Sequence, residues 1–222
     1  MSELVFAVLG GGHGGIGTAA DLAVKGFPVR LYSSYQETIA PIAAQGGLEL
    51  EVLPSSGLKG GFARLELATT DIGEAVRGAN IIMVVTPAPS QRRYAEKLAP
   101  HLTRDQVVVL NPGSFGGALE FSQILAAHGA PPVAVAETEC LVYAGRKKSP
   151  THMWLRGYKK HLRVAAFPGR ETARVLSLLR KAYPDWEEED SVLETSLSNP
   201  NPIIHIPIMV LNAARIEAPG DF

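Results

Sequence analysis

One histidine in the C-terminal part of the sequence is placed where it could move a proton. His205 lies in a mostly apolar run, 202–217, and an imidazole changes its charge close to neutral pH. Helical spacing would place Asn201 on the same side of this run. A histidine and an amide along one helical stripe either face a polar cavity or hydrogen-bond to buried partners. We expect this stripe to face a polar cavity, with His205 acting as an acid or base and Asn201 contacting the substrate.

A glycine-rich turn near the start of the sequence predicts a second kind of chemistry. An apolar run, 4–9, leads directly into six residues of which only His13 is not glycine. In a G-x-G-x-x-G pattern, Gly10 permits a tight turn, Gly12 lets a ligand approach the backbone, and Gly15 lets helix and strand pack closely. The N–H groups that begin the following helix can then bind a dinucleotide diphosphate. The alternative is a tight turn without a ligand. The cofactor contacts predicted in this turn are Gly10, Gly12, His13, Gly14 and Gly15.

The end of the second predicted strand, 29–32, bears on which dinucleotide is bound. NAD enzymes carry an Asp or Glu here that binds the ribose 2′-hydroxyl, but this sequence has Ser33-Ser34-Tyr35. No carboxylate stands there to repel a 2′-phosphate, and Arg30 or a hydroxyl could bind one. We therefore favour NADP over NAD, with Ser33 as a contact. In the alternative, Glu37 takes the role of the acidic residue.

Polar or glycine-containing turns follow three of the later strands. Ligands of open α/β sheets bind beyond the carboxyl ends of the strands, so these turns are candidates for a site. Thr86 and Pro87 follow one strand, and we expect both to contact the cofactor. Asn111 and Gly113 follow the next strand, where glycine would allow a flat nicotinamide ring to lie against the backbone. Glu137, after the last strand, is predicted to contact substrate. Ordinary turn chemistry is the alternative for each turn.

Short apolar runs alternate with amphipathic stretches, which is typical of a doubly wound sheet. The fold class predicted is α/β, a Rossmann-type doubly wound and mainly parallel sheet followed by the start of an α-helical C-terminal domain. In the segments 48–52 and 64–67, apolar and polar residues alternate one by one instead. This pattern predicts a hairpin at the periphery of that sheet. Helical spacing predicts helices over 170–183 and 202–217. The strands predicted are Val5 to Leu9, Val29 to Tyr32, Ile81 to Val85, Val107 to Leu110 and Val133 to Ala136.

Composition limits the other possibilities. The 222 residues are 46% hydrophobic, as in a globular protein, and carry a net charge of −1, which favours neither nucleic acid nor an acidic membrane as a partner. The single cysteine, Cys140, excludes an intrachain disulfide and a multi-cysteine metal site, and we expect it to be buried. A basic stretch, 146–170, and an acidic cluster, 185–190, are interpreted as solvated faces that partly pair. Without a signal peptide or transmembrane segment, the protein is expected in the cytoplasm.

Several motifs, taken together, resemble those of the octopine/nopaline (opine) dehydrogenases along the whole sequence. They are Gly10 to Gly15, Asn111-Pro112-Gly113 with Gly116-Gly117, Glu137 to Leu141 with Tyr143 and Arg146, Ser198 to His205, and Leu211-Asn212-Ala213 with Arg215-Ile216-Glu217. The resemblance implies an NADH- or NADPH-dependent enzyme that condenses an amino acid with a 2-oxo acid through an imine, to which hydride is transferred. It also implies that the family's active-site histidine is His205, that small-molecule amino acids and 2-oxo acids are the substrates, and that no metal is needed.

The same family has a second, helical domain of more than a hundred residues. The resemblance therefore implies a dinucleotide-binding domain over 1–197 and the first segment of a helical substrate domain over 198–222, with the remainder missing. An apolar helix left without its partners would expose a surface suited to a homodimer.

Two other functions are compatible with the glycine turn and the sheet. One is a reductase of a 2-oxo acid similar to ketopantoate reductase, which lacks support from the motif at 199–205. The other is a dinucleotide-binding fragment without catalysis.

Overall fold

Apolar runs form the central strands of a parallel sheet because helices cover both of its faces. In the computed structural model, which describes residues 4–217, all five predicted strands form with their ends shifted by two residues or fewer. The strands are β1 (Phe6–Leu9), β2 (Val29–Tyr32), β3 (Gly47–Val52), β4 (Gly61–Arg64), β5 (Leu67–Thr69), β6 (Ile81–Val84), β7 (Val107–Leu110), β8 (Ala134–Thr138), β9 (Tyr143–Ser149), β10 (His152–Tyr158), β11 (Arg163–Phe167) and β12 (Glu187–Glu188). The helices are α1 (His13–Val24), α2 (Gln36–Gln45), α3 (Ile72–Val76), α4 (Ala88–Leu98), α5 (Gly117–Ala127), α6 (Thr172–Leu179), α7 (Val192–Leu197), α8 (Asn201–Leu211) and α9 (Ala213–Ile216).

The main sheet has the strand order of a doubly wound dinucleotide-binding fold. Within residues 4–217 it contains eight strands in the order β12-β11-β8-β7-β6-β1-β2-β5, and only the β8–β11 pair is antiparallel. The chain runs outward from β1 through β2 to β5, then returns to β6 on the other side of β1. This reversal opens a crevice at the carboxyl ends of β1 and β6, where ligands of such sheets bind. The predicted fold class is confirmed.

The predicted hairpin forms, but its place in the fold was predicted wrongly. Strands β3 and β4 pair antiparallel, and β3 also pairs with β10, so both belong to a second sheet with the order β4-β3-β10-β9. Leu67 lies in β5 at the edge of the main sheet, where it pairs with Arg30. Alternating hydrophobicity predicts a strand with one buried face, but it does not show which sheet that face covers. Strands β9, β10 and β11, which overlap the basic stretch, and β12, in the acidic cluster, were not predicted.

Helix α1 lies between the two sheets. Every residue from Gly15 to Leu22 is buried, because the helix packs on β1 and β2 on one side and on β3, β4, β9 and β10 on the other. A Cβ atom at Gly17 would lie 3.0 Å from Leu155 of the second sheet. The one buried charge of this run, Asp21, pairs with Lys25 at 2.7 Å and accepts a short hydrogen bond from the Tyr143 hydroxyl. The second sheet is thereby fixed against the helix that follows the glycine turn.

The C-terminal elements largely follow the predicted helices. The stretch predicted over 170–183 forms α6 after a short 3-10 turn, and the one predicted over 202–217 forms α8 and α9, which meet at Asn212. Helix α8 continues through Pro207 and exposes several large aliphatic side chains, among them Leu211 at 82%. In the described part of the chain, each helix is too short or too polar to cross a membrane. The division into domains at residue 197 stays a prediction.

Candidate active site

The glycine turn joins β1 to α1 with almost no space between them. Gly10 has a φ of 147°, a backbone conformation that residues other than glycine rarely adopt. A Cβ atom at Gly15 would lie 2.1 Å from the carbonyl oxygen of Gly10, and one at Gly10 would lie 2.2 Å from the carbonyl oxygen of Val85. Glycine is therefore required at position 15 by the contact between strand and helix, and at position 10 by its φ and by the approach of the chain that follows β6.

The amino end of α1 is open and uncapped. Gly12 is the N-cap residue, and no side chain accepts a hydrogen bond from the first turn of the helix. The first N–H groups of a helix have no partner within it, so they remain available to an anion. A Cβ atom at Gly12 would meet nothing within 4 Å, which shows that this residue faces open space. This geometry fits a dinucleotide diphosphate.

A cavity of about 460 Å³ lies against this turn and carries three cations. Arg93 and Lys97 come from α4, and Lys147 comes from β9 of the second sheet. Within residues 4–217, neither Arg93 nor Lys97 forms an ion pair. The other lining residues come from the glycine turn, from the ends of β2 and β6 and from helices α2 and α4: Gly10, Gly11, Gly12, Tyr32, Ser34, Tyr35, Glu37, Thr38, Val85, Thr86, Pro87, Ser90 and Tyr94.

Ser33 and Arg30, which the sequence suggested as ligands of a 2′-phosphate, make hydrogen bonds within the protein instead. Ser33 is fully buried, and its hydroxyl accepts a hydrogen bond from the Tyr35 N–H at 3.2 Å. Arg30 binds Glu66 through two nitrogens at 3.0 and 3.1 Å, since both residues lie at the edge formed by β2 and β5. The neighbours of Ser33, rather than Ser33 itself, line the cavity.

His13 is held by the second sheet. Its Nδ1 accepts a hydrogen bond from the Lys147 backbone N–H at 2.9 Å, so the proton of the neutral ring is on Nε2. The Lys147 side chain also donates from Nζ to the Gly11 carbonyl oxygen at 3.3 Å. Partial burial, together with the charges of Lys147 and Arg146, lowers the pKa of His13. Residues of β9 therefore border the glycine turn, which sequence patterns did not indicate.

Two buried polar atoms at the ends of β6 and β7 have no hydrogen-bond partner among residues 4–217. They are Oγ1 of Thr86 and Nδ2 of Asn111. The other amide atom of Asn111, Oδ1, accepts from the Val142 N–H at 3.2 Å. Unpaired buried polar atoms are costly. Thr86 lines the 460 Å³ cavity, where a ligand could satisfy its Oγ1, and Asn111 follows β7 at the same edge of the sheet. Pro87 is the N-cap of α4 and lines the cavity.

Glu137, predicted to contact substrate, makes its hydrogen bonds within the protein. Its buried carboxylate accepts from the Ala118 N–H at 2.8 Å and from the hydroxyls of Thr195 and Ser196 at 2.8 and 2.7 Å. A Cβ atom at Gly113 would lie 2.3 Å from Oε2 of Glu137, so glycine is needed there to accommodate this carboxylate. Glu137 joins α5 and α7 to β8, and its contact with substrate stays a prediction.

Asn201 and His205 lie on the first turns of α8. Asn201 lines a cleft of about 360 Å³ whose other walls include Cys140, Tyr143 and Lys159. His205, one turn further along the same side of the helix, is exposed. We call the 360 Å³ space that Asn201 lines the Asn201 cleft. Its position next to β9 and β10 connects α8 with the second sheet.

The basic stretch and the acidic cluster pair in part, as predicted. Arg163 binds Glu189 at 2.8 Å and Glu139 at 2.8 Å. Cys140 is buried, also as predicted, and burial raises the pKa of its thiol although the ammonium of Lys159 lies 2.8 Å from Sγ.

The sequence matches two protein-family profiles, one at each end. Residues 5–112 match "NAD-dependent glycerol-3-phosphate dehydrogenase N-terminus", and residues 188–222 match "NAD/NADP octopine/nopaline dehydrogenase, alpha-helical domain". A relative that is similar over the whole chain is the opine dehydrogenase of Arthrobacter sp. (strain 1C). The two are 36% identical over 222 residues, which cover 100% of this chain and 61% of the relative.

Solved structures share the fold. An octopine dehydrogenase described with NADH and L-arginine superposes with a TM-score of 0.79 at 20% identity, covering 99% of this chain and 57% of that one. A ketopantoate reductase family protein of Ralstonia eutropha JMP134 superposes with a TM-score of 0.61 at 20% identity, covering 86% and 58%. The chain thus spans about 60% of the length of these proteins.

The buried Glu137 generates a prediction about stability and pH. Burial raises its pKa above 4.5 more than its three hydrogen bonds lower it. A raised pKa in the folded state means that ionisation opposes folding. The contribution of Glu137 to the free energy of unfolding therefore declines as pH rises from about 4.5 through the pKa of this carboxyl group in the folded protein. Glu137→Gln stays neutral and can still accept from Ala118. We expect the free energy of unfolding of this variant, relative to wild type, to increase with pH by about 1.4 kcal/mol per unit of pKa elevation.

Urea unfolding of both proteins between pH 4.5 and 8 measures this difference. Glu188→Gln is the matched control, since Glu188 is exposed, and its difference from wild type should stay flat. A flat difference for Glu137→Gln as well would contradict the account.

Proposed function

The chain belongs to the octopine/nopaline dehydrogenase family, and we propose that it acts in an NAD(P)H-dependent oxidoreductase of the opine dehydrogenase type. In the proposed reaction, an amino acid, a 2-oxo acid, NAD(P)H and a proton give an N-(1-carboxyalkyl) amino acid, NAD(P)⁺ and water. The observation that carries the proposal is the open amino end of α1 at a glycine turn, beside a cavity that Thr86 also lines and where its buried Oγ1 has no partner among residues 4–217. The similarity along the whole chain to an opine dehydrogenase supports it.

The residues at the carboxyl ends of the strands would hold the dinucleotide. The N–H groups that begin α1 bind its diphosphate, while Thr86 and Asn111 hydrogen-bond to its polar groups. When bound, the nicotinamide supplies the hydride. The protein's part is to position the reactants and to supply charge and protons.

His205 is the residue proposed to move the proton. A ring nitrogen donates a proton to the substrate in the reductive direction and accepts it in the oxidative direction. Asn201, on the same side of α8, contacts the substrate from the cleft that it lines. Such a reaction draws on a cell's pool of reduced cofactor and free amino acids, and on that ground we place the protein in the cytoplasm.

The exposed aliphatic face of α8 is proposed to form a homodimer contact. Leu211 is 82% exposed, Ile203 74% and Val210 70%. Burying side chains of this size removes apolar surface from water and favours association. A second copy of the chain presents the same face, which suits a twofold interface.

The reaction distinguishes the proposal from its alternatives. A reductase of 2-oxo acids alone, which the similarity to a ketopantoate reductase favours, would oxidise NADPH with pyruvate and no amine. The proposed enzyme requires a primary amino acid as well. A fragment without catalysis would bind NADPH and oxidise none in either mixture.

His205→Ala tests the proposed proton transfer. Loss of a general acid or base lowers turnover by about 100-fold or more, while the affinity for NADPH should change only a few-fold because His205 is separate from the glycine turn. NADPH oxidation with pyruvate and a panel of amino acids measures turnover, and calorimetry measures the affinity for NADPH. The control is His128→Ala, since His128 is the C-cap residue of α5 and lines neither the 460 Å³ cavity nor the Asn201 cleft. Equal turnover in the two variants would contradict the role of His205.

The cations of the cavity predict a preference for NADPH. Arg93 has no ion pair within residues 4–217 and lines the cavity with Ser34, so it is available to a 2′-phosphate. Arg93→Ala should weaken NADPH binding about tenfold and leave NADH binding within twofold. Calorimetric titration with both cofactors measures the two affinities. Arg92→Ala, which removes the neighbouring charge that pairs with Glu120, is the control. An equal loss for NADPH and NADH would contradict the assignment.

A further inference from the structure

Two arginines of the second sheet line a cleft beside the glycine turn. Arg146 of β9 and Arg156 of β10 border an open space of about 640 Å³ together with His13, Leu141 and Tyr143. We call this space the arginine cleft. It is separate from the 460 Å³ cavity on the other side of the turn, where Arg93 and Lys97 lie.

Several other cations of the basic stretch have partners that account for them. Lys148 binds Glu51 at 2.6 Å, and Arg163 binds Glu139 and Glu189. In the described part of the chain, by contrast, the guanidinium groups of Arg146 and Arg156 have no ion pair or hydrogen bond, and Arg156 lies over the ring of Trp154, 5.2 Å from its centroid. No aspartate or glutamate is found among the described residues that line the cleft.

The Arg146 guanidinium acts on the neighbouring His13 as a positive charge. Arg146 is near enough to His13 to contribute to the lowering of its pKa, after burial and Lys147. A guanidinium presents its donors in a planar fork that matches a carboxylate. Two such groups on adjacent strands, with no acid between them, therefore favour an anion in the cleft.

The position of the cleft indicates which anion this is. Its walls at Leu141, Tyr143, Ala144 and Gly157 are shared with the Asn201 cleft. One continuous surface thus leads from His13 at the glycine turn to the start of α8, which carries His205. A small acid bound there would lie between the glycine turn and Asn201, which precedes the proposed proton donor His205 by one helical turn.

We propose that Arg146 and Arg156 bind a carboxylate group of the acid substrates. The inference rests on the proposed function and adds to it the residues that recognise the substrate's charge. Neither arginine is assigned to the cofactor, whose phosphates are bound by α1 and by the cations of the 460 Å³ cavity.

Trp154 provides a reporter for the test. The ring lies under Arg156, while the other tryptophan, Trp186, is buried and stacks on Tyr183 with ring centroids 4.1 Å apart. In a Trp186→Phe background, Trp154 emission is titrated with pyruvate and with pyruvamide, its uncharged analogue, both with and without NADPH. Calorimetry repeats the titration for variants that alter the surroundings of Trp154.

The variants are Arg146→Ala, Arg156→Ala and Arg156→Lys, with Lys160→Ala as a control that removes an exposed charge of the same stretch. We expect wild type and Lys160→Ala to bind pyruvate and not pyruvamide. Each arginine-to-alanine change should raise the Kd for pyruvate about tenfold or more and leave the affinity for NADPH unchanged. The Kd of Arg156→Lys for pyruvate should lie between those of wild type and Arg156→Ala.

Three results would overturn the inference: absence of pyruvate binding to wild type, equal binding by both alanine variants and the control, or a loss of NADPH affinity in place of pyruvate affinity. The last would assign the arginines to the cofactor's phosphates. Pyruvate titration without NADPH keeps the test separate from the proposed function, since failure of cofactor binding leaves that titration unaffected.

Discussion

The contact between Gly10 and Gly15 is the constraint on which the rest of the structure depends. The first strand and first helix approach so closely that a Cβ atom at Gly15 would lie 2.1 Å from the Gly10 carbonyl oxygen. This approach points the free N–H groups of α1 along the crevice where the chain reverses between β1 and β6. The proposed phosphate site is therefore a property of the backbone, and the side chains around it would determine which dinucleotide and which substrate it accepts.

The second sheet gives this site a second wall. Because α1 is buried between two sheets, β9 reaches the glycine turn, where Lys147 hydrogen-bonds to His13 and Gly11. The pairing of Asp21 with Lys25 and Tyr143 connects the same sheet to the middle of α1. Cations from one strand thus border both the 460 Å³ cavity, through Lys147, and the arginine cleft, through Arg146.

The local part of this arrangement could be predicted from the sequence. Apolar runs predicted five of the eight strands that the main sheet has within residues 4–217, and the spacing of Gly10, Gly12 and Gly15 indicated the turn, because each depends on neighbouring residues alone. Contacts between distant segments could not be predicted. The pairing of β3 with β10, the burial of Ser33 and the three hydrogen bonds of Glu137 all depend on tertiary packing, which leaves no periodic pattern in the sequence.

Calorimetric titration with NADPH of wild type and of Gly12→Val tests the central claim, that the open amino end of α1 binds a dinucleotide. Gly12 has a φ of −79°, and its Cβ would meet nothing within 4 Å, so the fold accommodates valine there while the space for the diphosphate is filled. The account predicts that wild type binds NADPH and that the variant binds at least about 100-fold more weakly, with its unfolding free energy within about 1 kcal/mol of wild type. Equal affinity in both proteins, or no binding by wild type, would contradict it.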